Sequence, residues 1–176
     1  EKDMVNRPVS IYASTKIANE IMAYSYGNLY GLRTTGLRFF TAYGPWGRPD
    51  MSIYLFTKSI IEGTPIQVNN YGNMKRDFTY INDIVNGIRA AIDKNFECDI
   101  FNVGNNSSDN LMDMINIIEN SLGINAKINF EEIQPGDVKN TSSNMEYSKS
   151  KLNFEPKISI HEGIPRFIEW FKKYHK

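Results

Sequence analysis

Cysteine and histidine are scarce in this sequence. Cys98 is the one cysteine among 176 residues, so an internal disulfide and a cysteine-rich zinc site are both excluded. The two histidines, His161 and His175, have no metal-ligand spacing, and we predict no metal site. A lone thiol is typical of a reducing compartment, and we therefore expect a cytoplasmic protein.

The chain also lacks a net charge and a long apolar run. Its 20 lysines and arginines balance 20 aspartates and glutamates. Because the basic residues are scattered, we expect neither a nucleic-acid partner nor an anionic membrane surface. No stretch of about 18 apolar residues occurs and no signal-peptide core is present, so we predict neither membrane insertion nor secretion. Position 1 is glutamate, and we expect the chain to begin inside a longer protein.

Helical and extended patterns alternate along the sequence, as is typical of an α/β fold. Apolar residues at helical spacing predict a long helix from Ser10 to Tyr30, closed by Gly31. Further helices are predicted to begin at or be capped by four polar residues, namely Asp50, Asp83, Asp109 and Ser159, the last with Glu162 in a capping-box pattern. Short strands are predicted at 34–40, 65–68, 78–80, 99–103 and 127–130.

These strands are too few for a complete doubly wound sheet. Such a sheet needs roughly six strands, and at most three of the candidates are apolar enough to be central. We therefore predict that the strands that complete the sheet lie outside these residues.

The first helix carries a phenol and an ammonium on one face, at Tyr12 and Lys16. A lysine at this spacing can lower the pKa of a tyrosine, which has to fall from near 10 to about 7, worth about 4 kcal/mol, before the phenol can act as a base at neutral pH. The same spacing recurs in three other pairs, namely Tyr54/Lys58, Tyr71/Lys75 and Tyr147/Lys151. Spacing alone therefore leaves a solvated helix face as the alternative.

Four blocks downstream of this pair carry a family resemblance. They read Gly-Leu-Arg-Phe-Phe-Thr-Ala-Tyr-Gly-Pro-Trp-Gly-Arg-Pro-Asp at 36–50, Asn-Tyr-Gly-Asn-Met-Lys-Arg-Asp-Phe-Thr-Tyr-Ile-Asn-Asp at 70–83, Phe-Asn-Val-Gly at 101–104 and Gln-Pro-Gly-Asp at 134–137. In this order the sequence resembles the extended short-chain dehydrogenase/reductase family, and within it the nucleotide-sugar epimerases, most closely the UDP-glucuronate 4-epimerases.

The resemblance implies the C-terminal part of a doubly wound Rossmann-type parallel sheet plus a small α/β substrate-binding domain. Residues 1–48 correspond to the last part of the Rossmann-type domain, and 49–176 mainly to the substrate-binding domain, with 83–104 returning to the Rossmann-type sheet. The family's N-terminal dinucleotide-binding half, with its Gly-x-x-Gly-x-x-Gly turn and the serine or threonine of the catalytic trio, is missing from these residues.

The resemblance also implies roles at the nicotinamide end of the site. The family's tyrosine, here Tyr12, removes the proton from the sugar hydroxyl at position 4 while hydride leaves for NAD. Lys16 corresponds to the lysine that holds the nicotinamide ribose, and Phe40 to a residue beside the nicotinamide. Simple strand packing is the alternative reading for Phe40.

The predicted substrate contacts lie further along the chain. Thr41 and Arg48 match positions that hold the carboxylate end of the sugar. Arg76 matches the arginine that binds the diphosphate. Asp137 matches a contact to the nucleotide, and Val68 matches a position beside the uracil. Arg48 could instead be a solvated loop arginine, Thr41 a turn residue and Val68 ordinary core. The tyrosine expected shortly after Asp137 is absent, and this leaves the later nucleotide contacts open.

Several activities are compatible with this resemblance. The leading one is NAD-dependent 4-epimerisation of UDP-glucuronate, and the alternatives are epimerisation of a neutral UDP-hexose, decarboxylation of UDP-glucuronate and, less well matched, dehydration of a dTDP-sugar. From a different class, the chain could be a non-catalytic piece that binds a sugar nucleotide. The family also implies a homodimer that includes the Tyr12/Lys16 helix.

Overall fold

The computed structural model describes residue 8 and residues 10–175, in which helices alternate with short strands. The helices are α1 (Ile11–Tyr30), α2 (Ser52–Glu62), α3 (Ile81–Lys94), α4 (Leu111–Leu122), α5 (Glu146–Leu152) and α6 (Ile160–Tyr174). The strands are β1 (Thr34–Phe39), β2 (Thr41–Tyr43), β3 (Ile66–Val68), β4 (Lys75–Arg76), β5 (Phe78–Tyr80), β6 (Cys98–Val103), β7 (Asp109–Asn110) and β8 (Ile128–Phe130). A short 3-10 helix covers Asn69–Gly72. Within this part of the chain, no helix has the length and apolar character needed to cross a membrane.

The strands form four pairs. Three pairs are parallel, β1 with β6, β2 with β5 and β3 with β8, while β4 pairs with β7 in the antiparallel direction. This confirms the predicted α/β fold class with parallel pairing. Over the described residues β1 has one strand neighbour, so its other edge is open to a further strand.

Two hydrophobic clusters form the core. The larger joins α2, α4 and α6 around the short strands, and Ile115, Ile118 and Ile164 in it are fully buried. The smaller lies where α3 and α5 cover β6, around Phe101 and Val103. The larger cluster includes Tyr43 of β2 and Phe78 of β5, and the predicted substrate residue Thr41 is the first residue of β2.

The predicted first helix is confirmed with both of its caps. The Ser10 hydroxyl accepts a hydrogen bond from the Ala13 amide at 3.1 Å, and Gly31 adopts the left-handed conformation that closes the helix. No residue of α1 is buried, and Ile21 and Leu29 are 62% and 70% exposed. This helix therefore covers the strands without being covered itself.

One ion pair fastens α1 to the sheet. Arg38 on β1 donates from Nε and Nη2 to the two carboxylate oxygens of Glu20, at 2.6 and 2.7 Å. Both side chains are partly buried, and the bidentate ion pair fixes the orientation of α1 relative to β1. The apolar side chains near this contact are only partly covered, because Ile21 and Phe39 are exposed while Ile17 and Leu37 are half-buried.

Three predicted helix starts are wrong in detail. Asp50 does not cap α2, because its carboxylate pairs with Arg48, and Met51 occupies the cap position. Asp109 does not cap α4, because it belongs to β7 opposite Arg76, and Asn110 takes the cap position.

The third helix, α3, begins at Ile81 rather than at Asp83. The buried Asp83 carboxylate accepts hydrogen bonds from the amides of Lys157 and Ile158, at 3.0 and 2.9 Å, and so joins two distant segments. Ser159 is the N-cap residue of α6 as predicted, although its side chain makes no capping hydrogen bond.

Candidate active site

A cleft of about 350 Å³ opens beside the ends of β2, β3 and β5. It brings together three of the predicted substrate residues, Thr41, Arg76 and Asp137. Its other lining residues come mainly from the start of α2 and from the segment around β3, namely Asp50, Met51, Ser52, Leu55, Phe56, Gln67, Asn69, Met74, Phe78 and Leu111. Residues from distant parts of the sequence therefore converge on one space.

Arg76 is the cation in the lining of this cleft. Its Nη1 donates to the backbone carbonyls of Lys75 and Lys139, at 2.9 and 3.1 Å. Burial lowers the pKa of the guanidinium, and the Asp137 carboxylate acts in the opposite direction. An arginine keeps its charge through such shifts, so a half-buried cation with further N–H groups to offer lies where an anionic ligand could bind.

Asp137 is placed by a tight turn. Gly136 has φ of 90°, and the Asp137 amide donates to the Gln134 carbonyl at 3.0 Å, which with Pro135 at the second position is the pattern of a type II turn. The Asp137 carboxylate accepts a hydrogen bond from the Asn69 side chain at 3.2 Å. The Gln-Pro-Gly-Asp sequence thus folds as a turn that presents its aspartate to the cleft.

Thr41 reaches the cleft because β2 runs beside β5. The Thr41 amide donates to the Asp77 carbonyl at 3.0 Å, and Thr41 lies opposite Phe78 in the register. Arg76 lies in β4, two residues before Phe78, so the pairing of β2 with β5 brings Thr41 near Arg76.

A buried carboxylate that the sequence analysis passed over lies beneath these residues. Asp77 is fully buried, and its Oδ1 accepts from the Asn105 amide and the Thr79 hydroxyl at 2.7 and 3.1 Å. Its Oδ2 accepts from the Ser143 hydroxyl and amide at 2.6 and 3.0 Å. The signal was present in the sequence, since an aspartate beside the apolar Phe-Thr-Tyr strand requires partners for its charge.

Arg48 lies at the rim of the cleft rather than in its lining. Its guanidinium pairs with Asp50, from Nε to Oδ1 at 3.1 Å and from Nη2 to Oδ2 at 2.8 Å. Both side chains are exposed, at 74% and 67%. The side-chain hydrogen bond from Arg48 lowers the pKa of Asp50.

The loop that carries Arg48 is fastened to the C-terminal helix by aromatic contacts. Trp46 adopts φ of 64°, which is unusual for a residue with a bulky side chain. Its ring lies 5.4 Å from that of Trp170 and 4.9 Å from that of Tyr174, between ring centroids. These contacts hold the turn that precedes Arg48.

Tyr12 and Lys16 lie side by side on α1, outside the cleft. The Lys16 ammonium is 5.2 Å from the centroid of the Tyr12 ring, which is a cation–π distance. Tyr12 is 71% exposed and Lys16 is also exposed. In two of the other pairs with this spacing the phenol is engaged elsewhere, Tyr54 with His175 at 2.8 Å and Tyr147 with Asp99 at 2.5 Å.

The two remaining predicted residues are packed rather than open. Val68 is fully buried in the larger core, between the lining residues Gln67 and Asn69. Phe40 is half-buried beyond the end of β1, and its amide donates to the Val103 carbonyl at 3.3 Å. Neither residue lines the cleft.

A second cavity, of about 530 Å³, lies near the ends of β6 and α5. Residues 105, 106, 142–146, 149 and 154–156 line it, and none of the predicted site residues is among them. The smaller cleft is the better candidate because three of the predicted substrate residues line it, together with charged and polar side chains from separate strands and turns.

Comparison with known proteins identifies the family of this chain. The profile of the NAD dependent epimerase/dehydratase family matches residues 1–104. The chain belongs to this family. The UDP-glucuronate 4-epimerase resemblance is likewise supported, since UDP-glucuronate 4-epimerase 4 of Arabidopsis thaliana is 40% identical over 99% of this chain and 44% of its own length. The uncharacterized protein MJ1055 of Methanocaldococcus jannaschii is 50% identical over 97% of this chain and 52% of its own length.

The fold of the family matches as well. The crystal structure of UDP-glucuronic acid 4-epimerase from Bacillus cereus in complex with UDP-glucuronic acid and NAD superimposes with a TM-score of 0.93 at 30% identity. The match covers 99% of this chain and 56% of that chain, and corresponds to the C-terminal portion of a Rossmann-type epimerase. The chain thus spans about half the length of the relatives it matches.

Proposed function

We propose that this chain is the sugar-nucleotide-binding part of an NAD-dependent UDP-glucuronate 4-epimerase that works by transient oxidation at position 4 of the sugar. The observation that carries the proposal is the cleft in which Thr41, Arg76 and Asp137 converge. The similarity to epimerases of this specificity supports the assignment.

The Arg76 guanidinium in the lining of the cleft suits the diphosphate of a sugar nucleotide. In the proposed complex Arg76 donates to the diphosphate, which a planar guanidinium can bind through paired hydrogen bonds. Asp137, held by Asn69, contacts the nucleotide. Thr41 and Arg48 receive the sugar, and Arg48 at the rim binds its carboxylate.

The residues present fit the nicotinamide end of NAD. Tyr12 and Lys16 offer a hydroxyl and an ammonium on one helix face, as the nicotinamide ribose requires. When bound, NAD accepts hydride from the sugar and returns it. In this proposal Tyr12 Oη accepts the proton of the 4-hydroxyl, while Lys16 orients the ribose.

The exposure of α1 fits a helix that other parts of the complete protein cover. No residue of α1 is fully buried, and over the described residues β1 pairs with one strand only. We propose that further strands of the whole enzyme extend the sheet at β1 and that a second copy packs against α1 to form a homodimer. If these further parts of the enzyme covered α1, Tyr12 and the cleft would lie in one site from which water is largely excluded.

A chimera tests the catalytic part of this proposal. This chain would replace the matching region of the Bacillus cereus enzyme, and products formed from UDP-glucuronate and from UDP-glucose would be separated chromatographically. We expect conversion of UDP-glucuronate to its 4-epimer, and loss of turnover in Tyr12→Phe with binding retained. Tyr24→Phe on the same helix is the matched control and should remain active.

The products also separate the alternative activities. Formation of a decarboxylated UDP-pentose would favour a decarboxylase, and turnover of UDP-glucose alone would favour a hexose epimerase. Either result would contradict the proposed substrate.

A second candidate is that the chain on its own binds a sugar nucleotide without catalysis. The position of Tyr12 and Lys16 outside the cleft favours it. Titration of the chain with UDP and with NAD tests it, since UDP should bind and NAD should not. Tight binding of NAD by the isolated chain would contradict this reading.

A further inference from the structure

The pairing of Arg48 with Asp50 leaves part of the guanidinium free. Asp50 occupies the side edge of the group, formed by Nε and Nη2. Nη2 also approaches the Met51 sulfur at 3.7 Å, whereas Nη1 has no hydrogen-bond partner among the described residues. Since a guanidinium carries five donors in one plane, its end edge at Nη1 remains available to a second carboxylate.

The Arg48 guanidinium lies beside residues that line the cleft. Asp50 and Met51, the two side chains that touch the guanidinium, both line the cleft although Arg48 does not. A ligand in the cleft would lie close to a guanidinium whose Nη1 is not occupied by Asp50. An exposed arginine otherwise samples many rotamers, and Asp50 restrains this one.

We propose that Asp50 is a positioning residue that makes the cleft selective for UDP-sugars with a carboxylate on the sugar. It holds the side edge of Arg48 and leaves the end edge free to bind the uronate. This inference rests on the proposed function and adds a residue that touches the arginine rather than the substrate.

The expected effect is moderate. Restraint of one flexible side chain before binding corresponds to about a two- to tenfold gain in affinity. Repulsion between Asp50 and the uronate acts in the opposite direction, but it is screened because the pair is exposed to solvent. The sign of the change in Asp50→Asn therefore decides between an orienting carboxylate and a competing one.

Calorimetric titration of the 176-residue chain with UDP, UDP-glucose and UDP-glucuronate provides the test. In Asp50→Asn we expect affinity for UDP-glucuronate to fall about two- to tenfold, with UDP and UDP-glucose unchanged. Asp50→Glu should restore part of the loss because it keeps the carboxylate, and Arg48→Gln should abolish the preference for the uronate. Glu62→Gln removes another exposed, ion-paired carboxylate, that of the Lys58 pair, and is the matched control.

The outcomes separate this inference from the proposed function. If UDP does not bind to the wild-type chain, the proposed function fails. If UDP binds and UDP-glucuronate binds no better than UDP-glucose, or Asp50→Asn leaves the uronate affinity unchanged or raises it, the role of Asp50 is overturned while the nucleotide cleft stands.

Discussion

Replacement of the buried Asp77 by asparagine should destabilise the chain strongly. Its two carboxylate oxygens accept four hydrogen bonds, from Asn105, Thr79 and, twice, from Ser143. Asparagine keeps one oxygen, and its NH₂ group would face two donors. The Ser143 or Thr79 hydroxyl can rotate to accept, but a backbone amide cannot.

The magnitude follows from these partners. Each hydrogen bond to a charged group contributes about 1.5–3 kcal/mol, and an unsatisfied buried donor costs about 1–3 kcal/mol. Allowing for rotation of one hydroxyl, we expect Asp77→Asn to lower the free energy of unfolding by about 3–4 kcal/mol. A domain is stable by about 5–15 kcal/mol, so this is a large part of the total.

Urea unfolding followed by circular dichroism measures the change. Asp93→Asn is the matched control, because Asp93 is exposed and its contact with Arg89 is a long one of 3.8 Å. The control should change stability by less than about 0.5 kcal/mol. Should Asp77→Asn unfold at the same urea concentration as the control, the carboxylate does not hold these segments together.

Three further predictions concern packing, pH and association. Gly163→Ala should lower the melting temperature, because a Cβ there would overlap the buried Tyr43 ring, and an unchanged value would refute the close approach. Burial raises the pKa of Asp109, whose Oδ2 has no hydrogen-bond partner among residues 10–175. The folded state therefore binds the proton of this carboxyl more tightly than the unfolded state. Asp109→Asn should therefore be more stable than wild type at pH 7. This difference in stability should disappear as the pH falls through the raised pKa towards 4, and urea unfolding at both pH values would test it. Light scattering should detect self-association of the wild-type chain, because Ile21 and Leu29 expose apolar surface, and this association should decrease in the double variant Ile21→Ser/Leu29→Ser. A monodisperse wild-type monomer would contradict this prediction.

Local patterns in the sequence were sufficient to predict the long helices. The α1 boundaries followed from apolar spacing with Ser10 and Gly31 at its ends, and both caps form as predicted. Cap predictions failed where an aspartate had a better partner elsewhere. Asp50 binds Arg48, and Asp109 sits in a short strand pair that no local pattern indicates.

The site was only partly accessible from the sequence. Family blocks pointed to Thr41, Arg76 and Asp137, and the structure brings these together in one cleft. An aspartate beside an apolar strand indicates a need for partners, but Asn105 and Ser143 lie 28 and 66 positions from Asp77, and such distances leave no periodic signal that identifies them. The roles of Tyr12 and Lys16 stay predictions, since neither residue lines the cleft.

The measurement that tests the central claim most directly is titration of the isotope-labelled chain with UDP, followed by NMR. We predict chemical-shift changes that cluster at Thr41, Arg76 and Asp137, and loss of binding in Arg76→Gln, with the wild-type fold retained in that variant. Absence of binding, or shifts confined to the larger cavity around residues 142–146, would contradict the account.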